Sequence, residues 1–174
     1  KSTTMNKVAL ITGFTGMVGS HLADYLLKKT DWNIYGIIRW RSPLDNIRHL
    51  IDKINSNKRI FLEYADLNDM VSLLNLINEI KPDYVFHLAA QSYPKTSFSS
   101  PIDTYNTNIL GTAKLLESIR ISDSDPWIHV CSSSEIFGRV SKDKLPIDEE
   151  CSFHPASPYA ISKIGTDLIG RYYS

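Results

Sequence analysis

Two short segments hold side chains that can work together on a substrate hydroxyl. Ser132-Ser133-Ser134-Glu135 is a run of hydroxyls ending in a carboxylate, and Tyr159 and Lys163 stand four apart in the last helix-like stretch. That spacing puts the phenol and the ammonium on one helical face. A phenol near pKa 10 is a poor base at neutral pH, but a neighbouring cation favours the phenolate. Tyr159 can then take a hydroxyl proton as hydride leaves the same carbon, with Ser133 hydrogen-bonded to the reacting oxygen. Glu135 is not needed to oxidise an alcohol. It suits removal of a proton from a carbon next to a new ketone; the alternative is a plain surface carboxylate. Tyr25 and Lys29 make a second pair at the same spacing. That pair falls at the far end of the first helix, away from the strand ends where ligands of open α/β sheets gather.

Strand-like and helix-like segments alternate along all 174 residues. Lys7 to Thr12, Ile34 to Ile38, Arg59 to Tyr64, Tyr84 to Leu88 and Trp127 to Ser132 read as strands, placing Cys131 inside the fifth. Helical patterns start after the first strand, at an Asn68 cap, at Ser100-Pro101 and at Ser157-Pro158. The helix from Pro101 is expected to be long, running to about Ile121. Five strands alternating with helices imply an α/β fold, a doubly wound parallel sheet over residues 7–174 in one domain. The stretch from Gly138 to Ala156 is long and aperiodic, as functional loops are. The polar start, residues 1–6, reads as a leader or tag remnant. The end at Tyr172-Tyr173-Ser174 falls inside an amphipathic helix with no terminating glycine or proline, so a truncated chain is expected.

Gly13-Phe14-Thr15-Gly16-Met17-Val18-Gly19 joins the first strand to the first helix. Gly13 permits a tight turn, Gly16 lets backbone approach a pyrophosphate, and Gly19 allows close packing of helix on strand. The helix N-terminus at Met17 and Val18 offers free N–H groups to phosphates. The end of the second strand, where an NAD site would hold an acidic residue, carries Arg39, Arg41 and Ser42 instead. Guanidinium groups pair with a 2′-phosphate, which favours NADP over NAD. The alternative is that these arginines decorate a solvated loop.

Charge and composition narrow the partners. Nineteen basic and nineteen acidic residues cancel, so no polycationic surface argues for nucleic acid or membrane. No apolar run reaches the roughly 20 residues of a spanning helix. Cys131 and Cys151 lack metal or redox spacing and read as reduced thiols of a cytoplasmic protein. The five histidines are scattered, and no metal site is expected.

These features in series resemble the extended short-chain dehydrogenase/reductase family of Rossmann-fold enzymes. The motifs are TGFTGMVG, Asp66-Leu67, HLAAQS at His87 to Ser92, NILGT at Asn108 to Thr112, SSSE and SPYAISK. The resemblance implies that Asp66 and Leu67 contact adenine and that Leu88, Ala89 and Ala90 line the dinucleotide. It implies that Tyr159 and Lys163 also touch the cofactor, and that Ser92, Ser133, Ser134 and Glu135 face the substrate. GIIRWRS, AAQSYPKTSF, SEIFGRV and FHPASPYAISK are most similar to the GDP-mannose 4,6-dehydratases, which usually have threonine where this chain has Ser133. That subgroup implies an NADP-dependent cycle on a GDP-sugar. Carbon 4 is oxidised with Tyr159 as base, Glu135 takes the carbon 5 proton, water leaves carbon 6, and hydride returns to carbon 6. A 4-keto-sugar reductase or an epimerase of the same fold is the second reading, and a non-catalytic dinucleotide-binding module the third. The resemblance also implies a C-terminal substrate lobe beyond this chain. It further implies a homodimer or homotetramer through the helices starting at Pro101 and Pro158, whose apolar positions include Ile109, Leu115, Leu116, Ile161, Ile164, Leu168 and Ile169. Burial of those positions within the chain is the alternative.

Overall fold

In a computed structural model, residues 6–56 and 58–174 are described. The leader reading, apart from Asn6, lies outside them. The chain divides into two compact units, one formed by residues up to Ala89 together with 114–130, the other by 90–113 with 131–174.

The first unit is built on a five-stranded sheet. Its elements are β1 (Val8–Thr12), α1 (Met17–Lys29), β2 (Asn33–Ile38), a 3-10 turn (Asp45–Leu50), α2 (Ile51–Asn55), β3 (Ile60–Tyr64), α3 (Met70–Ile80) and β4 (Tyr84–His87). All strands are parallel, in the order β3-β2-β1-β4-β5, with β5 at Trp127–Val130. Direction of winding reverses between β1 and β4, the place where open α/β sheets bind ligands. The doubly wound parallel sheet expected from the alternation is therefore present.

β1 is central because it is apolar on both sides. Ala9 and Ile11 join Phe14, Ala23, Leu26, Ile34, Ile47, Leu50 and Ile60 in one buried cluster. Leu10 points to the opposite face and is equally buried. Full burial of such a side chain contributes about 1.5–3 kcal/mol. The Phe14 ring fills space left by Gly36 on β2, where an added Cβ would lie 2.3 Å from its ring. Arg59 holds the end of α1, donating to the carbonyls of Leu27, Thr30 and Trp32.

The starts of β1, β2 and β3 differ from expectation by one residue each, and β4 and β5 end earlier than expected. β4 stops at His87 because the next two N–H groups, of Leu88 and Ala89, donate to Thr12 Oγ1 at 3.1 and 3.0 Å. Val130 pairs with His87, so β5 has no ladder partner beyond it, and Cys131 lies outside the strand. The cap of α3 is Asp69, whose carboxylate accepts from Val71 N. Asn68 sits in the preceding turn, its N–H on Asp66 Oδ1 and its carbonyl taking Lys114 Nζ.

The second unit is helical. It contains α4 (Pro94–Ser99), α5 (Pro101–Tyr105), a π-turn (Asn106–Leu110), a 3-10 turn (Ser134–Phe137) and α7 (Pro158–Tyr172); α6 (Gly111–Ile121) leads back to the first unit. The long helix expected from Pro101 to about Ile121 is therefore present as one continuous helical run, with a π-turn inserted in it. Gly111 N–H bonds Asn106 O, five residues back, and the Asn108 carbonyl accepts the hydroxyls of Thr112 and Thr166. Such insertions concentrate at functional sites. Ser100 precedes Pro101 as expected but makes no side-chain cap, because its N–H already closes α4 on Thr96 O. No described helix is long and apolar enough to cross a membrane.

Candidate active site

In the first unit the glycine loop leaves β1 beside the end of β4. Gly13 has φ +70°, and a Cβ there would lie 2.8 Å from Ala89 N. Its carbonyl accepts from Gly16 N at 3.0 Å and would be 2.3 Å from a Cβ on Gly19. Side chains at either position would push the loop off the strand end or off the helix. Gly16 is the N-cap of α1, without a capping side chain or any acidic residue in the first turn. Met17 and Val18 are exposed. The result is an open cradle of main-chain N–H groups at a helix N-terminus, suited to phosphate.

Thr12 locks this corner. Its Oγ1 lies 2.8 Å from His87 Nδ1 as well as accepting from Leu88 N and Ala89 N. With both lone pairs in use, the hydroxyl donates to Nδ1, which places the ring proton of neutral His87 on Nε2. The half-buried Leu88 and Ala89 are held against β1 by this latch.

The segment after β2 closes on itself. Arg39 N donates to Ser42 Oγ, and Ser42 N to Arg39 O. Arg39 and Arg41 are exposed, and among the described residues neither has a carboxylate partner; Asp45 pairs with Arg48 instead. Asn46 Nδ2 donates to Thr15 O at 2.8 Å, tying this segment to the glycine loop. Asp66 is half-buried and Leu67 buried. The glycine cradle fits the phosphates of a dinucleotide, and the two guanidinium groups after β2 are exposed without a carboxylate partner among the described residues.

The second unit holds Tyr159, Lys163 and the Ser133–Glu135 segment. Ser157 Oγ accepts from Ala160 N, and Pro158 opens α7. The buried Ser97 accepts from Tyr159 N and donates to Pro94 O. Two hydroxyls therefore cap the turn that carries Tyr159. Tyr159 and Lys163 are both buried. Lys163 Nζ donates to Cys131 O at 2.6 Å. Burial pulls the Lys163 pKa below its ordinary value, opposed in part by the neighbouring Cys131. Ser133 Oγ accepts from Glu135 N and caps the Ser134–Phe137 turn, which packs against α7. Ser133 is half-buried, whereas Ser134, Glu135 and Ser92 are exposed and Ala90 half-buried.

The segment-to-helix junction is fixed from below. Asn108 is buried, its Oδ1 accepting from Gln91 N and its Nδ2 donating to Gln91 O and Ser162 Oγ. Ser162 Oγ in turn donates to Tyr159 O. Beyond the turn, Gly138 has φ +59°, and a Cβ there would meet His154 O at 1.9 Å. His154 N donates to Ile136 O, so the aperiodic loop is closed at its base.

The family model for GDP-mannose 4,6 dehydratase matches residues 10–174. The chain belongs to the GDP-mannose 4,6-dehydratase family. It is 40% identical to the GDP-mannose 4,6 dehydratase of Drosophila melanogaster over 91% of this chain and 41% of that protein. With GDP-mannose 4,6 dehydratase 2 of Arabidopsis thaliana the identity is 43%, over 90% of this chain and 43% of that one. The chain thus spans about two fifths of the length of these relatives. Among solved structures it is similar to a dTDP-glucose 4,6-dehydratase of Streptomyces venezuelae with NAD bound. The TM-score is 0.81 at 25% identity, over 95% of this chain and 51% of that one.

Within this dehydratase family member, several residues that shape the site escaped the sequence reading. Thr12 looked like the end of an apolar strand, although a lone hydroxyl at that point was a signal. Ser97 and Asn46 gave none, since their partners are remote main-chain atoms. Asn108 stood in the NILGT motif, but its side-chain clamp on Gln91 depends on the fold.

Proposed function

We propose that the full-length protein is an enzyme, a nucleotide-sugar 4,6-dehydratase acting on GDP-mannose or a related GDP-sugar with NADP as its dinucleotide. The observation that carries this reading is the packing of the Ser133–Glu135 segment against the helix bearing Tyr159 and Lys163, in a chain of the dehydratase family. When bound, the dinucleotide supplies one hydride acceptor that also returns the hydride. Tyr159 takes the proton of the carbon 4 hydroxyl. Lys163 holds positive charge beside the phenol, in a buried position where charge acts strongly. Ser133 donates to the oxygen that becomes the ketone. Glu135, exposed, would remove the carbon 5 proton and give it to the departing carbon 6 hydroxyl, so that water leaves. Once hydride has returned to carbon 6, carbon 5 would regain a proton, the one Tyr159 took from the carbon 4 hydroxyl.

Arg39 and Arg41 support NADP over NAD because they leave two guanidinium groups free for a 2′-phosphate. Gly13, Gly16, Gly19 and the α1 N-terminus would hold the pyrophosphate, with Asp66, Leu67 and Leu88 to Ala90 along the adenosine and nicotinamide sides. Residues 7–174 form the dinucleotide-binding domain in this reading, and the substrate lobe belongs to the remainder of the longer relatives. Both cysteines are free thiols, which supports a cytoplasmic setting.

The test is to incubate full-length protein with GDP-mannose and a trace of NADP and follow the nucleotide sugar by mass spectrometry. Loss of one water with no net cofactor reduction is expected. Tyr159→Phe should slow it about 10²–10⁴-fold. An unchanged nucleotide sugar, with NADPH consumed on a 4-keto sugar nucleotide instead, would replace the dehydratase by a reductase.

A further inference from the structure

The segment after β2 contains an indole that the core does not use. Trp40 is 78% exposed, unusual for the largest apolar side chain. It stands between the two arginines, and the Arg41 guanidinium carbon lies 5.4 Å from its ring centroid. That is a cation–π distance. The main chain on both sides is tied by the reciprocal Arg39–Ser42 bonds, so the indole and the Arg41 side chain leave the same closed turn. No carboxylate among the described residues competes for Arg41. A long arginine on an open loop would otherwise sample many rotamers, all of which must be lost when it grips an anion.

We infer that Trp40 is a positioning residue for the dinucleotide's 2′-phosphate, holding the Arg41 guanidinium in a narrow set of orientations and so setting the preference for a 2′-phosphorylated ligand. The inference rests on the NADP reading above. Trp40 acts through Arg41 and needs no contact with the ligand. Losing the indole therefore weakens ligands that carry the 2′-phosphate and spares those that lack it. Exposed cation–π contacts correspond to roughly 2- to 5-fold in an equilibrium constant.

The experiment is titration calorimetry of NADP and NAD on the full-length protein and on Trp40→Leu, Trp40→Phe, Arg41→Ala and the Trp40→Leu/Arg41→Ala double variant. The expected result has four parts. Wild type binds NADP more tightly than NAD. Trp40→Leu cuts that ratio about 2- to 5-fold through NADP alone. Trp40→Phe restores part of it. In the Arg41→Ala background, Trp40→Leu changes nothing further. Melting temperatures should match throughout, since Trp40 is exposed. A wild-type ratio that survives Trp40→Leu overturns the inference and leaves NADP standing. Equal loss of both ligands in Trp40→Leu also overturns it, assigning the indole to the shared adenosine. A wild type with no preference for NADP removes the NADP reading, and the inference with it.

Discussion

At the residue scale, Lys163 combines two demands that pull against each other. Burial disfavours its charge, while the role proposed for it requires that charge. The structure answers with a single strong acceptor, the Cys131 carbonyl, and the lowered pKa shows that desolvation still dominates. The sign of the consequence follows from linkage. A lysine whose folded pKa lies below its unfolded value of about 10.5 is protonated more readily in the unfolded chain. Its charge therefore destabilises the fold at neutral pH, and that cost disappears as pH rises from the folded value toward 10.5. Lys163→Met removes the titration. The pH slope of the difference between the two proteins therefore reports the protonation of Lys163, its bond to Cys131 O included. Melting temperature measured across the alkaline range should gain less with rising pH in Lys163→Met than in wild type, while dehydratase turnover falls at least 10²-fold. A parallel pair of melting curves would show that Lys163 is better solvated than its burial implies.

At the element scale, the site depends on where helices begin and where a π-turn is inserted. Asn108 spends its whole amide on Gln91 and Ser162, and Ser162 reaches the Tyr159 carbonyl. Asn108→Ala leaves the half-buried Gln91 N–H and carbonyl without these partners. It should cost about 2–4 kcal/mol in chemical denaturation, from several hydrogen bonds at about 1 kcal/mol each plus the desolvated groups left behind. Activity should fall more than stability predicts, because the turn carrying Tyr159 is displaced; a variant that keeps wild-type turnover once folded would confine Asn108 to a structural role. Much of this architecture could be read in advance. Apolar runs gave the five strands, Gly13 to Gly19 gave the tight turn between β1 and α1, and Ser157-Pro158 gave the start of α7, because each signal is local in the chain. What stayed hidden depends on remote partners. The early end of β4 follows from Thr12, the π-turn from hydroxyls on Thr112 and Thr166, and the extra cap on α7 from Ser97. Asp69 rather than Asn68 caps α3 because Asn68 is already committed to the preceding turn.

At the scale of the whole molecule, apolar surface left uncovered by the chain indicates what the assembled protein must cover. Two of the positions expected at a helical interface are ruled out, since Leu115 and Leu116 are fully or almost fully buried within the chain. In the helical unit the picture is different. Ile102 and Leu110, along α5 and the π-turn, and Ile161 and Leu168, on α7, remain exposed at 67%, 50%, 46% and 52%. Helices α5 and α7 pack together, and Gly165 lets α7 approach Ile109 so closely that an added Cβ would lie 2.9 Å from it. A tight pair with apolar residues outward has the form of half a helical bundle, which a second copy could complete by two-fold symmetry. We propose a homodimer, or a tetramer built from it, through this surface. Charges placed there have little to disturb within one chain but must be desolvated in the assembly. Light scattering on full-length protein should give a dimer or tetramer, and Ile161→Glu with Leu168→Glu should give a monomer with an unchanged far-ultraviolet spectrum. A wild type that is monomeric at micromolar concentration would assign those four side chains to the remainder of the longer protein instead.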